Sequence, residues 1–202
     1  MRVEKNSSVS AGFISLGCAK NLVDSQVMAG YLKHGGVALA PSPETADVIL
    51  VNTCAFIEAA REEAADAILE ACEYKREGGC RAVVVTGCMV QRYRERMQKA
   101  FPDVDAFLGV DELERVSEVV RQAAAGEPAG VVVARGEAHK VYTPLYPTLL
   151  FTGGPFAYLK IAEGCSHRCA YCAIPKIRGR FRSRGADELL EEARSMVAAG
   201  VQ

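Results

Sequence analysis

No stretch of the 202 residues comes near the ~20 consecutive apolar positions that a bilayer crossing requires. The first ten residues, Met1 to Ser10, are polar and offer no apolar core of a secretory signal, so a cytoplasmic protein is the default expectation. Charge of one sign is also missing. The formal net charge is −1, which advertises no anionic membrane and no strong nucleic-acid signal, although a local basic patch stays open. Cysteine is too sparse for a disulfide scaffold: eight in 202 residues, against the ~8–10% at which such scaffolds begin. Long repeats and low-complexity tracts are absent as well. What remains is ordinary for a globular chain, 50% hydrophobic and 24% charged residues, with enough length for one domain or two modest ones.

Hydrophobic patterning supplies the fold class. Apolar runs at 12–16, 48–51, 81–86 and 106–108 read as strands. They alternate with helical patterns at 21–34, 57–76, 90–99 and 112–124, several closed by glycine. Strands separated by helices predict an α/β domain with a parallel sheet covered on both faces, Rossmann- or flavodoxin-like. Residues 130–134 suit an added edge strand. From 136 to 155 prolines and a Gly-Gly pair replace any helical period, which reads as a linker. A second unit then opens with a strand at 156–162, a cysteine loop, a basic stretch and a helix at 187–198. The expected division is 1–135, a linker at 136–155, and 156–202.

The cysteines fall in two patterns. Cys18, Cys54 and Cys88 each stand just past a strand, in Leu16-Gly17-Cys18, Asn52-Thr53-Cys54 and Thr86-Gly87-Cys88. Strand ends of a parallel sheet lie along one edge, where open α/β sheets bind ligands, so the three can converge on a metal or cluster. Buried core thiols are the plain alternative. Cys72, within a helix, and Cys80, before a strand, lack that placement and read as structural. The second pattern, Cys165-Ser166-His167-Arg168-Cys169-Ala170-Tyr171-Cys172, brings three thiolates within eight residues. Three thiolates suit a soft metal centre with one coordination position open. A zinc site with His167 or a distant fourth ligand is the alternative.

With its flanks, Glu163-Gly164 before and Ala173-Ile174-Pro175 after, this loop resembles the signature of the radical S-adenosylmethionine enzymes. The segments around Cys18 (Ser15 to Ser25), Cys54 (Val51 to Ile57) and Cys88 resemble the methylthiotransferase branch of that family. Asp105-Ala106-Phe107-Leu108-Gly109 and Tyr158 to Cys165 are most similar to the enzymes acting on an aspartate of the twelfth small-subunit ribosomal protein. Ala19 stands where that pattern has proline.

The resemblance implies two 4Fe–4S clusters, one on Cys165, Cys169 and Cys172 and an auxiliary one on Cys18, Cys54 and Cys88. It implies S-adenosyl-L-methionine as cofactor, with Tyr171 against the adenosine and Arg178 and Arg184 as further cofactor-binding residues. It further implies transfer of sulfur and a methyl group to the β-carbon of that aspartate, with an electron donor such as flavodoxin or ferredoxin. A tRNA adenosine methylthiotransferase is the second reading, and a non-catalytic iron–sulfur or zinc-binding module the third. By the same likeness, 156–202 are only the first βα unit of a partial TIM barrel, and the chain alone is expected to be inactive.

Overall fold

The computed structural model describes residues 9–127, 130–133, 137–141 and 155–202. Six parallel strands form one sheet in the order β2-β1-β3-β4-β5-β6: β1 (Ser10–Ser15), β2 (Ala38–Leu39), β3 (Val48–Thr53), β4 (Ala82–Gly87), β5 (Ala106–Leu108) and β6 (Gly130–Val132). This is the doubly wound, flavodoxin-like order, and it reverses direction between β1 and β3. All six residues of β3 and all six of β4 are buried. That burial explains why both read as continuous apolar runs, rich in valine, rather than alternating ones.

Helices cover both faces. On one side α1 (Ala19–His34) and α5 (Val116–Ala124) enclose Val48, Leu50, Val84 and Leu108 with Met28, Leu32, Val116 and Val120. On the other, α2 (Glu58–Arg76), α3 (Cys88–Tyr93) and α4 (Glu95–Ala100) lie over Ile49, Val51, Val83, Val85 and Phe107. In α2 only Ala64, Ile68, Ala71 and Cys72 are buried, one stripe at helical spacing on an otherwise charged helix. The buried face of α1 includes Asn21, Asp24, Ser25 and Gln26. A polar helical face is buried only when something polar covers it.

Several sequence expectations change. The single helix expected at 90–99 is two helices, because Arg94 takes the left-handed region (φ 49°) and breaks the backbone ladder between them. β2, two residues pairing with Ser10 and Ala11, carries no hydrophobic pattern long enough to announce it. Of the expected edge strand, β6 ends at Val132, and residue 134 lies outside the described residues. In the expected linker 142–154 lie outside them too, while 139–140 are tied down: the buried Asp111 carboxylate accepts from the backbone N–H of His139 at 2.5 Å and of Lys140 at 3.2 Å.

The largest difference lies after residue 155. The strand expected at 156–162 shrinks to β7 (Ala162–Glu163), which pairs antiparallel with β8 (Arg182–Ser183). Between them the chain runs through the cysteine loop and α6 (Ile174–Arg178), then reverses at Gly179 (φ 72°). A chain that doubles back presents an antiparallel partner, and no described strand runs parallel beside β7. α7 (Ala186–Ala198) follows. No described helix is long and apolar enough to cross a membrane.

Candidate metal and cofactor site

The strand-end cysteines take their places from the sheet. Cys18 is the N-cap residue of α1 after β1, Cys54 follows β3, and Cys88 opens α3 after β4. Cys18 and Cys54 thus flank the position where the strand order reverses, the crevice in which such sheets bind ligands. Gly17 brings two of these loops together. A Cβ on it would lie 2.6 Å from Cys54 Cβ and 3.0 Å from Cys54 Sγ, and its φ of +87° already favours glycine. Gly87 (φ +96°) packs as tightly, its Cβ position 2.6 Å from the Thr53 carbonyl oxygen.

Beneath the loops a buried polar layer fixes the backbone. Asn21 Nδ2 donates to the Leu16 carbonyl at 2.7 Å and lies 3.2 and 3.3 Å from those of Asn52 and Thr53. Asn52 Nδ2 donates to the Asn21 carbonyl and to Ser25 Oγ, each at 2.8 Å. Thr53 Oγ1 donates to the Thr86 carbonyl at 2.6 Å. Apart from the local bond to Leu16, each crosses from one cysteine-bearing loop or its strand to another. Cys54 and Cys88 are buried and Cys18 is exposed. Among the described residues no three His, Cys, Asp or Glu side chains stand grouped as a ready metal site. The thiols share an edge without meeting at one point.

The three-cysteine loop projects from the same edge. Cys169 is exposed, and Cys165 and Cys172 are half-buried. The loop is pinned at both ends. On entry, Cys165 N–H donates to the Gly179 carbonyl at 3.0 Å, and Gly164 (φ +71°) leaves no room for a Cβ, which would fall 2.5 Å from that same oxygen. On exit, Ala173 and Ile177 join the core beneath α3. Tyr171 is 90% exposed, so it is no core aromatic. Beside Cys18, a pocket of about 190 Å³ opens between the β1–α1 turn and Tyr158.

A buried ionic cluster joins the loop to the sheet. Lys160 Nζ reaches Asp24 Oδ1 at 2.5 Å and Glu163 Oε2 at 3.3 Å. Arg178 Nη1 reaches Asp24 Oδ2 at 2.6 Å and Glu163 Oε2 at 3.1 Å. Lys20, two residues beyond Cys18, adds an ion pair to Glu163 at 3.3 Å. Burial acts to raise the Glu163 pKa, but Lys160, Arg178 and Lys20 outweigh it and hold the carboxyl down at about 2. Arg178 Nη2 also donates to Cys88 Sγ at 3.2 Å. Burial pushes the Cys88 thiol up while the Arg178 charge opposes it.

The basic stretch divides between solvent and interior. Lys176 and Arg180 are exposed, whereas Arg178 and Arg184 are buried. Arg184 donates to the Lys160 carbonyl at 3.0 Å and pairs with Glu192. Cys72 and Cys80 sit in the second core, and burial raises both thiols, Cys72 to about 11. Asn21, Asp24, Asn52, Lys160 and Glu163 carry much of this site, yet the sequence alone assigns them no role. The available signal was polar residues set in apolar runs.

Residues 10–109 match the family UPF0004, described as an uncharacterized protein family. The match takes in just under half of the chain, including β1, β3, β4 and β5. Over nearly its whole length the chain is 46% identical, across 192 residues, to the ribosomal protein uS12 methylthiotransferase RimO of Caldicellulosiruptor saccharolyticus, a match covering 95% of this chain and 43% of that protein. It is 45% identical over 194 residues to the RimO of Symbiobacterium thermophilum, covering 96% and 39%. The chain thus spans about four tenths of the length of these relatives and matches their N-terminal part. Among solved structures, the radical S-adenosylmethionine methyltransferase TsrM from Kitasatospora setae, with cobalamin and a [4Fe-4S] cluster bound, shares the fold at a TM-score of 0.56. Its identity is 15%, over 96% of this chain and 46% of that one.

Proposed function

We propose that this chain is the N-terminal portion of a radical S-adenosylmethionine methylthiotransferase that modifies the β-carbon of an aspartate in ribosomal protein uS12. The observation carrying the reading is the pairing of a complete strand-end set, Cys18, Cys54 and Cys88, with a pinned three-cysteine loop at the same sheet edge. The RimO relatives, similar over nearly the whole chain, supply the substrate class.

The residues fit the groups this requires. Soft thiolate donors in threes suit iron–sulfur clusters with one iron open. Gly17 and Gly87 let the cysteine-bearing loops approach so closely that a Cβ would strike Cys54 or Thr53, which keeps the strand-end thiols on one short stretch of the edge. Cys165, Cys169 and Cys172 would hold one 4Fe–4S cluster and Cys18, Cys54 and Cys88 the other. When bound, the first cluster with S-adenosyl-L-methionine supplies radical chemistry at an unactivated C–H bond, and the second supplies the site of sulfur transfer.

The chain's own residues do the positioning. The Asn21–Asn52–Thr53 layer holds the three strand-end loops in register. Gly164 and Ile177 hold the cysteine loop down. Exposed Tyr171 is free to cover a bound adenosine. Arg178 and Arg184, expected from the resemblance to meet the cofactor, are turned inward and act through the loop they anchor. Reduction by a flavodoxin or ferredoxin completes the scheme.

The deciding experiment measures iron, acid-labile sulfide and zinc per chain after anaerobic reconstitution. The expected result is ~8 irons, falling to ~4 in the triple variant Cys18→Ala/Cys54→Ala/Cys88→Ala. Stoichiometric zinc with little iron refutes it. With a full-length version, a mass shift on uS12 supports the substrate, and sulfur on tRNA adenosine alone overturns it.

A further inference from the structure

The two ends of the cysteine loop meet at one point. Glu163 lies two residues before Cys165, and Arg178 closes the short helix α6 that starts two residues after Cys172. Their side chains touch each other at 3.1 Å and both are about 95% buried. Through Arg178 they reach Asp24 on α1, at 2.6 Å, and through Lys160 the other oxygen of the same carboxylate, at 2.5 Å. The second guanidinium nitrogen spans from Asn21 Oδ1 to Cys88 Sγ, each at 3.2 Å. Asn21 is the residue that ties the Cys18 and Cys54 loops together. One planar fork therefore touches the entry of the cysteine loop, the helix behind Cys18, the residue that ties the strand ends together, and a strand-end thiol.

We propose that Arg178, with Asp24 and Glu163, is a positioning lock that fixes the three-cysteine loop against the strand-end edge and sets the place of the Cys88 thiol. The significance of the thiols rests on the cluster reading above; the lock itself rests on contacts within the chain. A buried ion cluster contributes little net stability, since desolvating its charges offsets most of their attraction. It contributes geometry instead: the guanidinium has five donors in a rigid plane and satisfies partners in several fixed directions at once. A lysine brings the charge without the fork. Asp24 is the hinge of the arrangement, because its two oxygens divide between Lys160 and Arg178.

Hydrogen–deuterium exchange and iodoacetamide mapping on the metal-free 202-residue chain test this with Arg178→Met, Arg178→Lys and Asp24→Asn. Loss of a charged hydrogen bond of this kind predicts at least about tenfold faster exchange at 160–184 in Arg178→Met and Asp24→Asn, with β3 and β4 protected as in the parent. Backbone exchange at 87–90, the segment carrying Cys88, should also accelerate in Arg178→Met, and Arg178→Lys should fail to restore its protection; alkylation of Cys72 and Cys80 should stay slow, showing that the second core is intact. Unchanged exchange at 160–184, or a loss spread equally through β3 and β4, overturns the lock. Full rescue by lysine overturns the need for the fork. Iron uptake is scored separately. Failure of the parent chain to take up iron, with the exchange pattern as expected, would reject the cluster reading and keep the lock. Normal uptake with unaltered exchange in Arg178→Met would do the reverse.

Discussion

Replacing Gly17 by alanine isolates how closely the first two cysteine loops are packed. The substitution meets two separate costs. At φ +87° an L-residue is strained whatever its surroundings, by about 1–2 kcal/mol. The new methyl group would then lie 2.6 Å from Cys54 Cβ, closer than real Cβ contacts come, and a tight 3.0 Å from its Sγ. Forcing an extra carbon into a filled site adds about 1–3 kcal/mol, for a total of about 2–5 kcal/mol. Gly36 provides the control, with φ +76° and nothing within 4 Å of its Cβ position. Gly36→Ala should therefore show the backbone cost alone. Urea unfolding of both metal-free variants gives the comparison, and the excess in Gly17→Ala measures the clash at Cys54. The clash can relax only by moving Cys18 or Cys54, so reconstituted iron in Gly17→Ala should fall toward half while Gly36→Ala keeps the parent content. Equal destabilisation of the two variants, with equal iron, would refute the claim that Gly17 is the contact point between the loops.

Other expectations follow from single residues. Asp47 accepts from Ser10 Oγ at 2.7 Å and Ser10 N–H at 2.8 Å, and these bonds lower its pKa from the ordinary 3.8. A depressed carboxylate contributes stability that is present above its unfolded pKa and lost as pH falls through the folded one. Ser10→Ala should thus lower urea midpoints at pH 6 and show a shallower decline below pH 4; an unaltered acid profile would count against the bond. Cys72, raised to about 11 by burial, should resist alkylation at pH 8 in the folded chain, and Cys72→Ala should leave iron content intact. Tyr171, 90% exposed, should tolerate alanine within about 0.5 kcal/mol of stability. In a full-length protein the same change should weaken S-adenosyl-L-methionine binding, as read by calorimetry, and unchanged affinity would remove Tyr171 from the cofactor site.

Local sequence pattern determined most of the sheet. β3 and β4 each open on an unbroken apolar run, α2 carries a single apolar stripe, and the three cysteines stand just past β1, β3 and β4 because strand and cysteine are near neighbours in the chain. Their common edge follows from parallel topology. The tertiary structure alone decided which side chains meet there. Arg178 reaches Asp24 across 154 residues and Cys88 across 90, and no short-range periodicity encodes such a pairing. A basic stretch reads alike whether its arginines face water or carboxylates. Burial separates them, sending Arg178 and Arg184 inward and leaving Arg180 outside. The antiparallel β7–β8 pair and the break at Arg94 have the same origin. Both depend on where the chain must turn to place its neighbours, and that is fixed by packing between distant segments.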